Sequence, residues 1–395
     1  MVCMERAAFA GLVLTAFTLP FSLPAARVFT ALGALLLAAD ALRRRRRIEW
    51  PAVAGWAALF VIVAVGATFH GARPDLGLPK LRKFFWLAIL PLAAALTTTP
   101  GRLRAVLAAL AAGAGVLALR ACVAQPLLAL RGAAEGRLAD FGTGLIMVGS
   151  MTDAQRLMVG ALATLALWTA SRREGRRALG WGALLGLQAA ALVLHFKRGS
   201  WFCALGVGGV YVAAKARGRR VLWVGLAAAA LLLLLPPVRA RLAGLREELT
   251  RPGGRLTMWT RVTPELARRH PWFGIGYRSL TNRMMRSIDP RVERGRDHLH
   301  SNLAQVLVET GLAGLAVYAL WMAQALADAV RFRRAAQAGM AEALAGAEAL
   351  LLALIALLAN GLVEYNFGDS EILMLYGLAM GCAAAGARWA RAPAA

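Results

Sequence analysis

The chain has little acid and few groups that titrate near neutrality. Of its 395 residues, 21 are Asp or Glu, 5 are His and 4 are Cys, against 46 Lys and Arg. The cysteines, Cys3, Cys122, Cys203 and Cys382, are scattered in or beside apolar stretches and form no CxxC pair. That leaves neither a disulfide framework nor a thiolate metal site, and they read as small buried apolar residues. The polar stretches hold no DxD-like pair and no His/carboxylate cluster with metal spacing, so chemistry without a metal or cofactor is expected. Ten-residue strands of alternating polarity are missing, which excludes a membrane β-barrel. No repeat relates residues 1–197 to 198–395, whereas transporters built from paired halves show one.

What the chain does have is hydrocarbon. It is 59% hydrophobic, with a mean hydropathy of +0.57, too apolar for a soluble domain of this length. Apolar runs recur throughout, each approaching the ~20 residues that span a bilayer. The predicted fold is an all-α polytopic membrane protein with about twelve spans. Their approximate limits are 7–23, 26–42, 51–68, 84–98, 104–124, 155–170, 178–195, 201–215, 221–236, 302–330, 345–364 and 370–387. Basic clusters fall on alternate connections: Arg43 to Arg47, Arg102 with Arg104, Arg172 to Arg177, Lys215 to Arg220, Arg331 to Arg334, and Arg388 with Arg391. Cytoplasmic connections carry such clusters, so both termini are expected inside. This accounts for most of the net charge of +25 without a nucleic-acid partner. Membrane lipids are the expected surroundings.

The opposite face then receives the long loop, dividing the chain into spans 1–9 (1–236), a large loop (237–300) and spans 10–12 (301–395). The loop carries fourteen Arg against six acids, on the side where positive charge is usually sparse. It either holds an anion or lies against anionic headgroups. Arg239–Leu249 can form an amphipathic helix, Arg255–His270 a second with Arg255 and Trp259 on one face, and a third short helix can run to Ser287. Pro271 ends the second and Gly274-Ile-Gly276 permits a tight turn. The loop is therefore expected to be a helical cap between spans 9 and 10.

Several residues at this face could do chemistry. His298 and His300 sit where the loop enters span 10. His298, Asn302, Gln305 and Glu309 fall on one helical stripe, and Glu309 at membrane depth needs a partner or a cavity. It is either a structural partner for an Arg or a site-lining residue. His300 is expected at or before the helix cap. Lys197-Arg198-Gly199 interrupts two apolar runs. Lys197 reads equally as a snorkelling anchor, whereas Gly199 lets a ligand approach the backbone beside Arg198. Lys80 and Arg82 could join the same anion site or act as interface anchors.

Three patterns in this order resemble the O-antigen ligase and polymerase group of bacterial envelope enzymes, most closely the O-antigen ligase. They are Arg198-Gly199; Arg255 four residues before Trp259, followed by Pro271-Trp-Phe-Gly274-Ile-Gly276; and His300-Ser301, nine residues, then Gly311-Leu-Ala-Gly314. The resemblance implies a multi-pass protein of the bacterial inner membrane with a periplasmic active site. It implies metal-independent, inverting transfer of a glycan from undecaprenyl diphosphate to a sugar hydroxyl of lipid A–core. His300 would be the base, with His298 the alternative, and Arg198 and Arg255 would stabilise the leaving diphosphate. A polymerase of the same fold differs only in its acceptor. A transporter or flippase for a lipid-linked anion is the reading from another class.

Overall fold

The computed structural model describes residues 3–45, 47–135, 150–215, 234 and 236–389. Among these the regular structure is helical, with no strand. The first helices are α1 (Cys3–Thr18), α2 (Leu23–Arg43) and α3 (Ala52–Phe69). A short α4 (Pro74–Gly77), a 3₁₀ segment (Leu78–Ala88) and α5 (Ile89–Leu96) follow. Then come α6 (Pro100–Ala134), α7 (Met151–Ala170), α8 (Arg176–Leu194) and α9 (Arg198–Lys215). Seven of the described helices are long and apolar enough to cross a membrane. Large apolar side chains such as Leu35, Ile62 and Leu179 stay exposed on their outer faces, as lipid-facing residues do. The chain is a helical polytopic membrane protein.

Among the described residues, helices cover the expected spans with two departures. The fourth, expected as one helix over 84–98, is half 3₁₀ and half a short α-helix. Pro91 offers no N–H to the Leu87 carbonyl, and Pro79 removes another donor at the segment's start. The span expected at 221–236 lies almost wholly outside the described residues, as does most of the Gly-rich stretch between Arg131 and Asp153. The tenth is not straight. The helix that begins there, α15 below, breaks at Gly311, whose φ of 66° is non-helical.

Residues 236–300 form short helices: α10 (Pro236–Ala243), α11 (Leu245–Thr250), α12 (Arg255–Thr257), α13 (Thr263–Arg269) and α14 (Asn282–Ile288). The helix expected over 239–249 is split at Gly244. Between α12 and α13 one π turn spans Met258–Val262. Pro264 has no N–H to give the carbonyl four residues back, and Thr263 donates both its backbone N–H and its hydroxyl, the latter at 2.9 Å, to the Met258 carbonyl. Met258, Val262, Leu266, Ile275, Met285 and Leu299 close a separate core, completed by Val308. Three long helices finish the chain: α15 (Asn302–Gly339), α16 (Ala341–Val363) and α17 (Ser370–Trp389). Helix α17 is buried at Ser370 and at every residue from Ile372 to Ala387, so it is the centre of the bundle.

The break in α15 is where loop and bundle interlock. Leu312 and Ala313 donate to the carbonyls of Pro271 and Trp272 at 2.8 and 3.1 Å, while Ile275 and Gly276 donate to those of Val308 and Glu309 at 2.9 and 3.0 Å. Each segment satisfies the groups the other leaves open. Trp272 and Phe273 stay exposed beside the break, as interface aromatics do.

The two ends of the bundle differ in kind. At one end the connections bind each other: Ala72 donates to Ile275, Lys83 to Gly368, and Thr152 to Asp369. At the other, basic residues meet acids: Arg102 with Glu5, Arg388 with Glu49, and Lys215 with Glu348 at 2.6 Å. Both ends of the described chain lie with the basic clusters.

Candidate active site

His300 directly precedes α15, whose N-cap is Ser301. Its φ of 51° places a non-glycine residue in the left-handed region, a conformation kept only where the surroundings dictate it. The side chain is buried. Its Nδ1 lies 3.3 Å from Glu364 Oε2, at the C-terminus of α16. The other Glu364 oxygen accepts from Arg255 Nη2, and Arg255 Nη1 donates to the Val363 carbonyl at 2.7 Å. Burial pushes the Glu364 carboxyl up, but His300 and Arg255 together hold it below the usual carboxylate range.

Arg198 begins α9 and is buried. A Cβ placed on Gly199 would meet Asn360 Nδ2 at 3.1 Å and Glu364 Cγ at 4.0 Å. The Arg198-Gly199 backbone therefore packs directly on the end of α16, beside the residue that binds both Arg255 and His300. All three sequence patterns converge on Glu364. The sequence reading passed over this residue; its only signal was a polar interruption, Glu364 to Ser370, between two apolar runs.

His298 lies before the helix, so the expected stripe with Asn302 begins one turn later. Its ring centroid is 4.1 Å from that of His300, and its Nδ1 accepts the His300 backbone N–H at 3.4 Å. Burial, then the neighbouring His300, pushes its pKa down to about 4. His298 is thus neutral at pH 7 with its accepting nitrogen occupied, whereas Glu364 at Nδ1 leaves the opposite nitrogen of His300 to accept a proton.

The remaining expected residues divide. Asn302 is buried, and its Oδ1 accepts the backbone N–H of Asn366 and Phe367 at 3.0 and 3.1 Å, pinning the connection that carries Glu364. Trp259 Nε1 donates to the Leu299 carbonyl at 2.7 Å and braces the segment before His300. Glu309 accepts from Gln305 at 2.7 Å and from the Tyr365 hydroxyl at 3.5 Å, so it supports the site from within. Lys197 is half-buried beside Arg198. Lys80 and Arg82 are exposed. The cation of that segment that reaches the connection is Lys83, donating to the Gly368 carbonyl at 2.6 Å. The sequence singles out Lys80 and Arg82 in this segment and not Lys83.

The site is a buried imidazole beside a carboxylate that also binds the Arg255 guanidinium, with the Arg198-Gly199 backbone packed alongside. It can take a proton and hold an anion. Among the described residues no three His, Cys, Asp or Glu side chains come together to hold a metal ion. No curated protein matches the chain. Residues 182–319 match the family model described as O-antigen ligase. The matched span contains Arg198, Arg255, His300 and both glycine pairs, while Glu364 and Lys83 lie outside it. Over these residues the chain is similar to the O-antigen ligase family.

Proposed function

We propose that this protein moves an O-antigen polysaccharide from undecaprenyl diphosphate onto a sugar hydroxyl of lipid A–core, at the periplasmic face of the bacterial inner membrane, without a metal. The observation that carries the reading is the pairing of His300 with Glu364, which also binds Arg255 and lies against the Arg198-Gly199 backbone. His300 removes the proton of the acceptor hydroxyl as its oxygen attacks the anomeric carbon. The bond from that carbon to the diphosphate oxygen breaks on the opposite face, so configuration inverts. The electron pair leaves on the diphosphate, whose growing charge Arg198 and Arg255 stabilise where it develops. The basic connections at the other end of the bundle support a topology with both termini in the cytoplasm. Residues 237–300 act as a cap that brings the two membrane-anchored substrates into line.

The test is reconstitution of the purified protein with lipid-diphosphate-linked glycan and lipid A–core, in the presence of a chelator. Glycan joined to lipid A–core is the expected result. Longer lipid-linked glycan with lipid A–core untouched would make the protein a polymerase, and no covalent product would remove the glycosyl-transfer reading.

A further inference from the structure

The connection between α16 and α17 has a second cationic end. The carbonyl oxygen of Gly368 receives Lys83 Nζ at 2.6 Å and Arg278 Nη2 at 2.7 Å. One neutral oxygen satisfies the geometry of two charged donors but does not neutralise them. Asp369 and Glu309 attract these cations from nearby, but their hydrogen bonds go to neutral groups: Asp369 takes the Thr152 hydroxyl at 2.9 Å, and Glu309 takes Gln305 and Tyr365. Arg278 Nε is buried with no hydrogen-bond partner, and Arg278 itself holds a φ of 55°. Burial, then the charge of Arg278, pushes the Lys83 amine down to about 8, against the weaker pull of Asp369. Gly368 has no room for a side chain: a Cβ would lie 2.5 Å from Tyr365 Cε1 and 2.6 Å from Arg278 Nη2.

This end is adjacent to the imidazoles. The Arg278 guanidinium carbon lies 4.9 Å from the centroid of the Tyr365 ring, and the same ring lies 6.2 Å from His298. Both Lys83 and Arg278 are half-buried, so their charges are partly desolvated yet accessible.

We infer that Lys83 and Arg278 form a second anion subsite, separate from Arg198 and Arg255, that holds a phosphate or carboxylate group of a substrate. An anionic oxygen arriving there replaces a neutral carbonyl as acceptor, so the two cationic donors gain an opposite charge as well as a hydrogen-bond partner. The anion is either the lipid diphosphate of the donor or an acidic group on the acceptor saccharide. Only this naming of substrates rests on the proposed function. A reaction that joins two membrane-anchored glycans has use for a fixed anchor on each side of its base.

The experiment titrates inorganic pyrophosphate into the full-length protein in nanodiscs. Two classes of site are expected in the wild type. Lys83→Gln with Arg278→Gln should weaken one class at least about tenfold, and Arg198→Gln should weaken the other. An isotherm unchanged by the Lys83/Arg278 pair would overturn the inference. The charge-keeping pair Lys83→Arg with Arg278→Lys should retain binding; equal loss in both pairs means the side chains only brace Gly368, which also overturns it. In the reconstituted transfer assay, a rise in donor KM alone assigns the subsite to the diphosphate, and a rise in acceptor KM alone assigns it to the saccharide. Neither KM moving removes it as a substrate subsite. Because the pyrophosphate isotherm needs no turnover, a wild-type protein that transfers nothing would sink the proposed function and leave the subsite to be decided by binding.

Discussion

Glu364 Oε2 stands 3.3 Å from His300 Nδ1, across 64 residues of sequence. The contact fixes which nitrogen of His300 carries its proton and leaves the other to accept one. His298, only 4.1 Å away ring to ring, has its Nδ1 engaged by the His300 backbone and a depressed pKa. His300→Ala is therefore expected to lower kcat by about 10²–10⁴-fold, the usual contribution of a general base. His298→Gln keeps a group that can accept that backbone N–H and should lose less than about tenfold. Comparison of the two variants in the reconstituted assay checks this, and a greater loss at His298 would reverse the assignment.

Glu364 also links the fold to pH. Its carboxyl is held below its ordinary range, so near pH 4 the folded chain binds fewer protons than the unfolded one. Its stabilising contribution is complete above the unfolded value of about 4.3 and is lost as pH falls through the lower folded value. Glu364→Gln leaves Arg255 beside an uncharged amide and should cost at most roughly 3–5 kcal/mol at pH 7. Thermal unfolding of wild type and variant should differ at pH 7 and converge below the folded pKa. A gap that persists unchanged to pH 3 would mean the carboxylate's charge is not what stabilises.

Much of this was legible because it is local. The stripe of Asn302, Gln305 and Glu309 follows from helix periodicity, and the position of His300 before the cap follows from Ser301. Alternating basic connections separate the two ends of the bundle. Glu364 was not legible, because an acid at a helix end looks like a solvated loop residue until Arg255 meets it across 109 positions. Lys83 was missed for a backbone reason. Prolines tighten its segment to 3₁₀ geometry, which turns Lys83 and not Arg82 toward Gly368. Only Gly311 marked the break in α15, and a helical glycine has no fixed meaning until its partner loop is known.

Arg255 uses two nitrogens of one planar group on two acceptors, the Val363 carbonyl and the Glu364 carboxylate. A lysine keeps the charge but not this fork. Arg255→Lys should therefore lose about tenfold or more in kcat/KM, and Arg255→Met more still. Activity of the lysine form within twofold of wild type would show that a point charge suffices.

The interlock between Gly311 and Gly274 makes the sharpest steric prediction. At Gly311 φ is 66° and a Cβ would lie 2.3 Å from the Trp272 carbonyl; at Gly274 φ is 68° and a Cβ would lie 2.5 Å from the Val308 carbonyl oxygen. Those neighbours are backbone, so they cannot swing aside, and the left-handed conformation adds roughly 1–3 kcal/mol of strain for alanine. Gly311→Ala and Gly274→Ala should each destabilise by more than about 2 kcal/mol. They act on one junction, so the double variant should cost clearly less than the sum of the two. Gly339→Ala is the control: nothing lies within 4 Å of its Cβ position, and it should be neutral or stabilising by up to about 1 kcal/mol. Unfolding midpoints of the four variants decide it. Additive losses at 274 and 311 would show that the two glycines relieve separate clashes and that loop and helix are not one locked unit.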